Sequence, residues 1–418
     1  MSLADPLPIT PFTRPCTGSV TLPGSKSITN RALILGALAD GPVTLHGALF
    51  SRDTRIMVTA LRQLGFAVAT DEKALTIRIE GRNGEIPNAE ATIHVGNAGT
   101  AALFLTAFVC LRQDGIYHFD GDEAMRARPI GTLLDALESQ GAQADSRSFP
   151  FTLRTASLPG GKIAIDASAS SQLVSALLLV ASKAESPLQV ELIGETVSKP
   201  FVTITQRMVE QFSRPQRDYA VEGDATAASY FAALPVATRG RVGIGGLNLS
   251  PEALQGDREF CHLLSAQGLV RLENTTAIDA GGRKGFTSDF NAISDTFLTL
   301  AAIAPLLDGP TKITGIAHTR KQETDRVAGM ARELTKLGQR VIETEDSLEI
   351  HPQPLKTGQV IETYHDHRFA MSFGVLGCHD LQGNGQPWLS IKDPACCAKT
   401  FPHFFDVLET LRQASLRS

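Results

Sequence analysis

Six segments of small and apolar residues recur along the chain, at intervals of about 55 to 75 residues. Each is long enough for three helical turns and is apolar on nearly every face, so it predicts a helix that other structure encloses. The segments begin at Ser27, Thr100, Ser171, Thr226, Asp295 and His367. A fold for this chain must therefore bury six helices on all sides.

Six amphipathic segments alternate with the apolar ones and predict helices of a second type, most of them ending at a glycine. They begin at Thr54, Pro129, Thr203, Arg258, Thr324 and Phe401, and Thr324 is the expected cap of its helix. Short alternating segments such as ALTIRIEG and KIAIDAS predict strands in the gaps. The repeat is thus an α/β unit of about two helices and four strands in roughly 70 residues, and six repeats suggest two halves of three.

The apolar segments are opened by residues that cap helices or bind anions. The N–H groups at a helix start carry partial positive charge, so several starts that meet at one site would hold phosphates and carboxylates. We therefore expect a site for small anionic ligands where these starts converge.

Overall composition is typical of a globular enzyme and excludes several classes of protein. The net charge is -5 and no basic stripe is present, which argues against nucleic acid as a partner. The six cysteines form no CxxC pair and no zinc-like spacing with histidine, so neither a disulfide framework nor a metal site is expected. No leader-like segment and no run of 18 apolar residues occurs, so a cytoplasmic protein without membrane contact is expected.

The first candidate site is Pro23-Gly24-Ser25-Lys26-Ser27, with Arg31 one turn further along. It superficially matches a nucleotide P-loop, but Ser19 stands where that pattern needs glycine. A turn with a capping serine is the alternative. Two cations on an otherwise apolar helix favour a functional site, because unpaired buried cations are costly.

Two further helix starts offer groups that suit anions. The turn Gly96-Asn97-Ala98-Gly99-Thr100 would let backbone approach a ligand closely, and Ser170-Ser171-Gln172 offers two hydroxyls and an amide. Arg126 and Arg128 precede a predicted helix, although such a pair is often a solvated surface feature. Ordinary helix capping would also explain these serines and glycines.

Two charged segments in the second half supply the remaining candidates. They are HTRKQETDR (318–326), which an exposed charged turn would also explain, and YHDHR (364–368), whose histidines lack a third ligand at a helpful spacing for metal. Six cations stand out in this acidic chain and imply small, multiply anionic ligands: Lys26, Arg31, Arg128, Arg326, Arg368 and Lys399. Asp295 and Glu323 are carboxylates that could exchange protons within such a field.

The chain resembles the EPSP (5-enolpyruvylshikimate-3-phosphate) synthase family from about Leu22 to Leu411. The matching motifs, in order and spacing, are PGSKSITNRA, GNAGTA, MRARPIG, SSQLVSALLL, VSKPF, VEGDATAASYF, KQETDR, YHDHRFAMSF and DPACCAKTFP. The sister family of UDP-N-acetylglucosamine enolpyruvyl transferases fits these motifs much less well. The resemblance implies a two-domain inverse α/β barrel, each domain made of three βαββαβ repeats around buried parallel helices. It also implies a discontinuous domain (1–24 plus 223–418) and an inserted domain (25–222).

The resemblance further implies transfer of the enolpyruvyl group of phosphoenolpyruvate to the 5-hydroxyl of shikimate 3-phosphate, with release of phosphate. By motif position, the catalytic residues would be Lys26, Asp295, Glu323 and His367. The phosphoenolpyruvate-binding residues would be Lys26, Asn97, Gly99, Thr100, Arg128, Gln172, Arg326, Arg368 and Lys399. The residues that bind shikimate 3-phosphate would be Lys26, Ser27, Arg31, Ser170, Ser171, Gln172, Ser198, Asp295, His318 and Gln322. No metal or organic cofactor is needed, a monomer is expected, and retention of Gly99 implies inhibition by glyphosate.

Four positions depart from the family pattern, three of them on the acceptor side. Gln322 replaces lysine, Phe201 replaces tyrosine, His318 stands where asparagine is common, and Leu103 replaces arginine. Drift within the family would explain the changes, with His318 or Lys321 restoring some positive charge. A paralogous enolpyruvyl transferase that acts on a related cyclic hydroxy acid is the alternative. Two hypotheses come from other functional classes. One is a P-loop phosphotransferase, and the other is a catalytically inactive homologue that binds a ligand.

Overall fold

The computed structural model describes residues 3–166, 170–194, 199–215 and 217–417. The chain divides into two compact units. The discontinuous unit is Met1–Pro23 with Gly223–Ser418, and the inserted unit is Gly24–Glu222. None of the helices in the described part of the chain is long and apolar enough to span a membrane.

The inserted unit is built from seven helices and ten strands in the described residues. Its helices are α1 (Lys26–Leu38), α2 (Arg52–Gln63), α3 (Gly99–Val109), α4 (Glu123–Arg126), α5 (Gly131–Glu138), α6 (Ser171–Val180) and α7 (Lys199–Phe212). Its strands are β3 (Asp40–His46), β4 (Val68–Asp71), β5 (Thr76–Arg82), β6 (Glu90–His94), β7 (Gln113–Asp120), β8 (Gln143–Ala144), β9 (Phe151–Ala156), β10 (Gly161–Asp166), β11 (Leu188–Ile193) and β12 (Asp218–Ala220). They form three sheets with the orders β12-β3-β5-β4, β6-β7-β9-β8 and β10-β11.

The discontinuous unit is built in the same way from six helices and eleven strands in the described residues. Its strands are β1 (Leu7–Pro8), β2 (Ser19–Thr21), β13 (Arg241–Gly245), β14 (Val270–Glu273), β15 (Thr276–Asp279), β16 (Thr287–Asp289), β17 (Thr311–Thr314), β18 (Arg340–Glu343), β19 (Ser347–His351), β20 (Gln359–Ile361) and β21 (Leu389–Ile391). Its helices are α8 (Ala225–Thr238), α9 (Glu259–Ala266), α10 (Phe297–Ile303), α11 (Arg326–Lys336), α12 (His367–Gly377) and α13 (Phe404–Arg417). Its three sheets have the orders β14-β15-β13-β2, β16-β17-β19-β18 and β1-β21-β20.

The six apolar segments form the buried helices α1, α3, α6, α8, α10 and α12, as the sequence predicts. In the inserted unit α1, α3 and α6 contact one another, and in the discontinuous unit α8, α10 and α12 do the same. Since nearly every residue of each helix is buried, these two triplets are the cores of the two units. Apolar burial on all faces of a helix is what an enclosed position requires.

The order of elements within a repeat differs from the expected βαββαβ. In the repeat that begins at β6, the order is β6-α3-β7-α4-α5-β8-β9, which is βαβαββ apart from the short extra helix α4. The buried helix α3 connects the parallel strands β6 and β7, β9 pairs antiparallel with β7, and β8 pairs antiparallel with β9. A parallel pair needs a crossover connection, which the apolar helix supplies, whereas an antiparallel pair needs only a short turn.

The first sheet of each unit takes one strand from a distant part of the chain. In the inserted unit, β12 pairs in parallel with β3, although about 170 residues separate them. In the discontinuous unit, β2 pairs in parallel with β13, and the whole inserted unit lies between them in sequence. The chain therefore enters the inserted unit at the buried helix α1 and returns to the discontinuous unit at the buried helix α8.

Candidate active site

Arg326 is the centre of a buried group of charges in the discontinuous unit. The residue is 1% exposed. Its Nε donates to Oδ2 of Asp366 at 2.7 Å, its Nη1 to Oδ1 of Asp295 at 2.9 Å, and its Nη2 to Oε2 of Glu323 at 2.7 Å. Nη1 also donates to Oε1 of Gln322. Burial acts to lower the pKa of Arg326, but the carboxylates of Asp366 and Glu323 outweigh it and raise this pKa.

Two more cations join the same carboxylates. Nη2 of Arg368 donates to Oδ2 of Asp295 at 2.6 Å, and Nζ of Lys399 donates to Oε1 of Glu323 at 2.9 Å. We call the set of three cations and three carboxylates the ion-pair cluster: Asp295, Glu323, Arg326, Asp366, Arg368 and Lys399. Because its formal charges balance, the cluster can be buried without a ligand at a tolerable cost.

Helix starts and short 3-10 turns position the cluster. Arg326 is the first residue of α11, and Asp366 is the N-cap of α12, where its Oδ1 accepts from the N–H of Arg368 at 2.9 Å. Asp295 lies in the 3-10 turn Asn291–Thr296 before α10, and Lys399 ends the 3-10 turn Pro394–Lys399. The cluster thus lies at the starts of helices. Backbone N–H groups there carry partial positive charge and favour carboxylates and anionic ligands.

The cap of α11 differs from the prediction. Thr324 was the expected cap, but Oδ1 of Asp325 accepts from the N–H of Ala328 at 2.9 Å and caps the helix instead. Arg320 donates to both carboxylate oxygens of Asp325, at 3.1 and 2.9 Å, and so fixes that side chain. The turn before Arg326 is therefore held by an ion pair as well as by a cap.

His318 and Gln322 are the acceptor-side candidates in this unit. Nε2 of His318 lies 2.9 Å from Oγ of Ser294. Burial lowers the pKa of His318, although the charge of Asp295 opposes this. A lowered pKa favours the neutral imidazole in the absence of an anionic ligand.

His367 and Asp257 are buried beside these groups. His367 is fully buried, and its Nδ1 lies 3.5 Å from Oδ1 of Asp366. Asp257 was not among the sequence candidates; it is 8% exposed and accepts a hydrogen bond from Oγ1 of Thr226. Nothing in the segment GDRE (256–259) indicated burial, because such a pattern is typical of an exposed charged turn.

Lys26 is the first cation of the inserted unit. It is the first residue of α1, and its Nζ lies 3.4 Å from Oδ2 of Asp53, whose side chain is 2% exposed. Asp53 lies in the first turn of α2 and was also absent from the sequence candidates. A buried carboxylate at this position fixes the direction of the lysine side chain.

Gly99, Arg128 and Gln172 are brought together in the inserted unit. A Cβ atom at position 99 would lie 2.6 Å from Nη1 of Arg128 and 3.6 Å from Oε1 of Gln172. Thr100 is buried in the first turn of α3. Among the described residues, Oδ1 of Asn97 is buried and has no hydrogen-bond partner. An unpaired buried acceptor is costly, and a ligand that supplies a donor would remove that cost.

The serine candidates lie at the starts of α1 and α6. Oγ of Ser170 accepts from the N–H of Gln172 at 3.2 Å and caps α6, while Ser171 is buried behind it. Ser27 follows Lys26 in the first turn of α1. Ser198 lies outside the described residues. The capping explanation for Ser170 is therefore correct. The cap uses one lone pair of Oγ, so the second lone pair and the hydroxyl proton can still bind a ligand.

Arg31 is 2% exposed and lies among α1, α6 and α7. Its guanidinium donates to Oγ1 of Thr205 at 2.7 Å, Oγ of Ser175 at 3.1 Å and the carbonyl of Phe201 at 3.2 Å. Burial lowers the pKa of Arg31 to about 9. The backbone carbonyl of Phe201, rather than its side chain, makes the contact, so the change from tyrosine leaves this bond in place.

Comparison with known proteins decides the family. The family model of EPSP synthase (3-phosphoshikimate 1-carboxyvinyltransferase) matches residues 12–216 and 213–408. A 3-phosphoshikimate 1-carboxyvinyltransferase from Opitutus terrae is 52% identical over 441 aligned residues, which cover 100% of both chains. The chain belongs to the EPSP synthase family. A second member of the EPSP synthase family, from Trichormus variabilis, is 38% identical and covers 96% of this chain and 98% of its own.

Solved structures confirm the fold class. An EPSP synthase from Acinetobacter baumannii superposes with a TM-score of 0.78 at 23% identity and covers 97% of each chain. The enolpyruvyl transferase NikO from Streptomyces tendae superposes with a TM-score of 0.69 at 16% identity and covers 96% of each chain. The α/β repeat architecture is therefore that of EPSP synthases and related enolpyruvyl transferases.

Proposed function

We propose that the chain transfers the enolpyruvyl group of phosphoenolpyruvate to the 5-hydroxyl of shikimate 3-phosphate, giving EPSP and phosphate. Membership of the EPSP synthase family supports the reaction. The single observation that supports it in the structure is the ion-pair cluster, in which Asp295 and Glu323 each lie between two cations. Carboxylates that exchange protons next to sites for anions are what this reaction requires.

The chemical difficulty is that the double bond of phosphoenolpyruvate is a poor electrophile. The acceptor hydroxyl adds to C2 while C3 takes a proton, and a tetrahedral ketal phosphate forms. This intermediate then loses a proton from C3 and the phosphate group. Protonation at C3 and positive charge around the phosphate therefore lower the barrier of both halves of the reaction.

In the discontinuous unit, Arg326, Arg368 and Lys399 are assigned to the phosphate and carboxylate groups of phosphoenolpyruvate. Glu323 is assigned to proton transfer at C3, supported by His367. When the ligand takes up Lys399 and Arg326, these two cations pair less closely with Glu323, and weaker pairing with cations lets a carboxyl hold a proton more readily. Ligand binding would thus prepare Glu323 to act as an acid.

Asp295 is assigned to the acceptor hydroxyl, which it orients and deprotonates. The proton passes to a carboxylate oxygen of Asp295, and the electron pair of the broken O–H bond forms the new C–O bond at C2. His318 and Gln322 are assigned to acceptor binding. Gln322 is neutral and the lowered pKa of His318 favours its neutral form, so both are assigned to hydrogen bonds rather than to charge.

In the inserted unit, Arg128, Gln172, Gly99, Asn97 and Thr100 are assigned to phosphoenolpyruvate. The close approach of Arg128 and Gln172 to Gly99 supports this assignment. The acceptor-binding set of this unit is assigned by motif position: Ser27, Arg31, Ser170, Ser171, Gln172 and Ser198. Lys26 is assigned to both ligands and to proton transfer at C3.

One observation favours a second candidate function, transfer of enolpyruvate to a different cyclic hydroxy acid. It is the absence of a cation at Gln322 together with the lowered pKa of His318, since a phosphorylated acceptor is normally met by positive charge. Arg31 favours the first candidate function, transfer to shikimate 3-phosphate. Its described partners are hydroxyl and carbonyl oxygens, so no carboxylate among them neutralises its positive charge on the acceptor side.

A phosphate-release assay tests the proposal. Purified protein with phosphoenolpyruvate and shikimate 3-phosphate should release phosphate in the presence of a chelator. Asp295→Asn protein, prepared in parallel, is the control for contaminating phosphatase. Turnover with shikimate or another cyclic hydroxy acid, and none with shikimate 3-phosphate, would establish the second candidate instead. Absence of turnover with every acceptor would refute both.

A further inference from the structure

Asp257 is a buried carboxyl to which the assignments above give no role. It lies in the 3-10 turn Gly256–Arg258 and is 8% exposed. Gln255 fastens this turn to the start of α8: its Nε2 donates to the carbonyl of Gly223 at 2.8 Å, and its Oε1 accepts from the N–H of Ala225 at 3.0 Å. The position of Asp257 is therefore fixed by backbone as well as by its own contacts.

The groups that face Asp257 come from three other elements. Oγ1 of Thr226, in the first turn of α8, donates to Oδ2 of Asp257, and Asp224 caps the same helix. The turn Gly256–Arg258 packs on the 3-10 turn that contains Asp295, and Arg368 of α12 also acts on Asp257. In the described part of the chain, Asp257 forms no ion pair with a cation.

The charge environments of Asp257 and Asp295 are opposite. Asp295 accepts from Arg326 at 2.9 Å and from Arg368 at 2.6 Å, and two guanidinium groups favour the charged form of a carboxyl. Burial and, to a smaller extent, the negative charge of Asp295 raise the pKa of Asp257 to about 7, against the hydrogen bond from Thr226 and the charge of Arg368. Near neutral pH Asp257 thus holds a proton for much of the time.

We propose that the protonation states of the buried carboxyls of Asp257 and Asp295 are coupled, so that the pair holds one proton in total, and that Asp257 is a positioning residue that gives up its proton when Asp295 accepts one from the acceptor hydroxyl. This inference rests on the proposed function. The acceptor O–H bond breaks, its electron pair forms the bond to C2 of phosphoenolpyruvate, and the proton joins Asp295. The O–H bond of Asp257 then breaks and its proton passes to water.

This exchange keeps the total charge of the two carboxyls at one negative charge throughout the step. Arg326 and Arg368 therefore keep a counter-charge while Asp295 becomes neutral. Two interacting carboxyls titrate as a pair, so neutralising one favours ionisation of the other. The consequence is that Asp295 becomes a stronger base at the moment it is needed.

The variant Asp257→Asn tests the proposal, because asparagine keeps the size of the side chain and an oxygen for the hydrogen bond from Thr226. We expect kcat to fall about tenfold, a fraction of the ~100-fold that a positioned proton acceptor typically contributes. The KM for phosphoenolpyruvate should stay within about twofold. The pH profile of kcat should show an ionisation near pH 7 in the wild type that is absent from the variant. A wild-type kcat, or a reduced kcat with this ionisation retained, would overturn the proposal.

A second variant tests the proposal even if Asp257→Asn does not fold. Thr226→Val removes the hydrogen bond that stabilises charged Asp257, so the ionisation should move to higher pH, while Thr226→Ser should leave it in place. An ionisation that moves in neither variant would contradict the role of Asp257.

Infrared difference spectroscopy reads the titration without turnover. The wild type should show a protonated-carboxyl band that disappears as the pH rises through about 7, and Asp257→Asn should lack it. If the band behaves in this way but the wild type does not release phosphate, the shared proton stands and the proposed function fails. If the wild type turns over and the band persists in Asp257→Asn, the shared proton fails and the proposed function stands.

Discussion

Nζ of Lys399 lies 2.9 Å from Oε1 of Glu323, so a cation assigned to phosphoenolpyruvate is neutralised by a carboxylate assigned to proton transfer. The same carboxylate accepts from Arg326 at 2.7 Å through its other oxygen. Each cation of the ion-pair cluster is therefore paired with a carboxylate of the same unit. An anionic ligand must replace these internal ion pairs. Its binding is therefore linked to the protonation of Glu323.

Glu323→Gln should separate the role of this side chain in proton transfer from its ion pairs with Lys399 and Arg326. We expect kcat to fall about 100-fold or more, because glutamine cannot transfer a proton. The KM for phosphoenolpyruvate should not rise, because Lys399 and Arg326 lose a competing carboxylate. Steady-state kinetics measures both. Glu349→Gln, which removes an ion pair with Lys312 between strands, is the control and should change neither. Equal losses in kcat and affinity would reject the proton-transfer role.

Gly99→Ala should weaken phosphoenolpyruvate binding with little effect on stability. The added methyl would lie 2.6 Å from Nη1 of Arg128, so the end of that side chain must move. We expect the KM for phosphoenolpyruvate to rise about tenfold, the loss of roughly one charged hydrogen bond. Gly131→Ala is the matched control in the same unit, because its methyl would meet its neighbours at ordinary distances of 3.6 Å or more. An unchanged KM for Gly99→Ala would mean that Arg128 does not bind phosphoenolpyruvate.

Gln322→Lys should tighten binding of a phosphorylated acceptor. It adds a positive charge where the lowered pKa of His318 disfavours one, and a charged hydrogen bond to phosphate is worth about tenfold in affinity. Gln322→Met is the control, because it loses the hydrogen bond from Arg326 without adding a charge. Titration calorimetry with shikimate 3-phosphate compares the two variants. Equal or weaker binding by the lysine variant would argue that position 322 does not contact the acceptor.

Tyr364→Phe should affect both stability and phosphoenolpyruvate binding. Tyr364 and His365 have left-handed φ values of 54° and 57°, and Oη of Tyr364 donates to the buried Glu333 at 2.7 Å. Losing this bond should lower the free energy of unfolding by about 1–2 kcal/mol and loosen the turn that leads to Arg368.

Denaturant unfolding and the KM for phosphoenolpyruvate are the measurements for Tyr364→Phe. Tyr117→Phe is the control, since it loses a hydrogen bond of 2.8 Å to the carbonyl of Asn88 in the inserted unit. It should lower stability without raising this KM. A rise in KM of the same size in both variants would show a general loss of fold rather than a role for the turn.

Asp257→Asn should change how stability depends on pH. The pKa of Asp257 is raised from 3.8 to about 7, so the folded chain binds more protons than the unfolded chain between these values. The contribution of Asp257 is complete below pH 3.8 and is lost as the pH rises through about 7. The variant should therefore lose less stability than the wild type over this range.

Thermal unfolding at a series of pH values measures this difference. Asp145→Asn provides a control of opposite sign, because the N–H of Thr152 lowers the pKa of Asp145. Its contribution is present at higher pH and disappears as the pH falls. Identical pH curves for wild type and Asp257→Asn would contradict the raised pKa of Asp257.

Hydrophobic patterning was sufficient to predict which six helices are buried. A helix that is apolar on all faces has few stable environments, and α1, α3, α6, α8, α10 and α12 all occupy buried positions. Helix ends were less accurate. The segment from Asp295 was predicted to be one helix, but Asp295 and Thr296 belong to a 3-10 turn and α10 runs only from Phe297 to Ile303, before Pro305. Pro235 lies inside α8, so proline alone does not fix an end.

The candidate site was predicted residue by residue, but its pairing was not. Motifs identified Glu323 and Lys399 separately, yet their contact joins residues 76 positions apart and depends on side-chain packing. The sequence also does not show which charged side chains are buried. Asp53 and Asp257 were therefore missed, although both lie beside candidate groups. The roles assigned to the candidates remain predictions that the variants above test.

The long-range strand pairs constrain how the protein is made. Synthesis proceeds from the amino terminus, yet β1 pairs with β21 through Leu7 and Ile391, and β2 pairs with β13. The residues around Leu7 must therefore wait for their strand partner until the segment around Ile391 has been translated. The inserted unit can close its first sheet once β12 emerges, so it can fold while the later part of the discontinuous unit is still being translated.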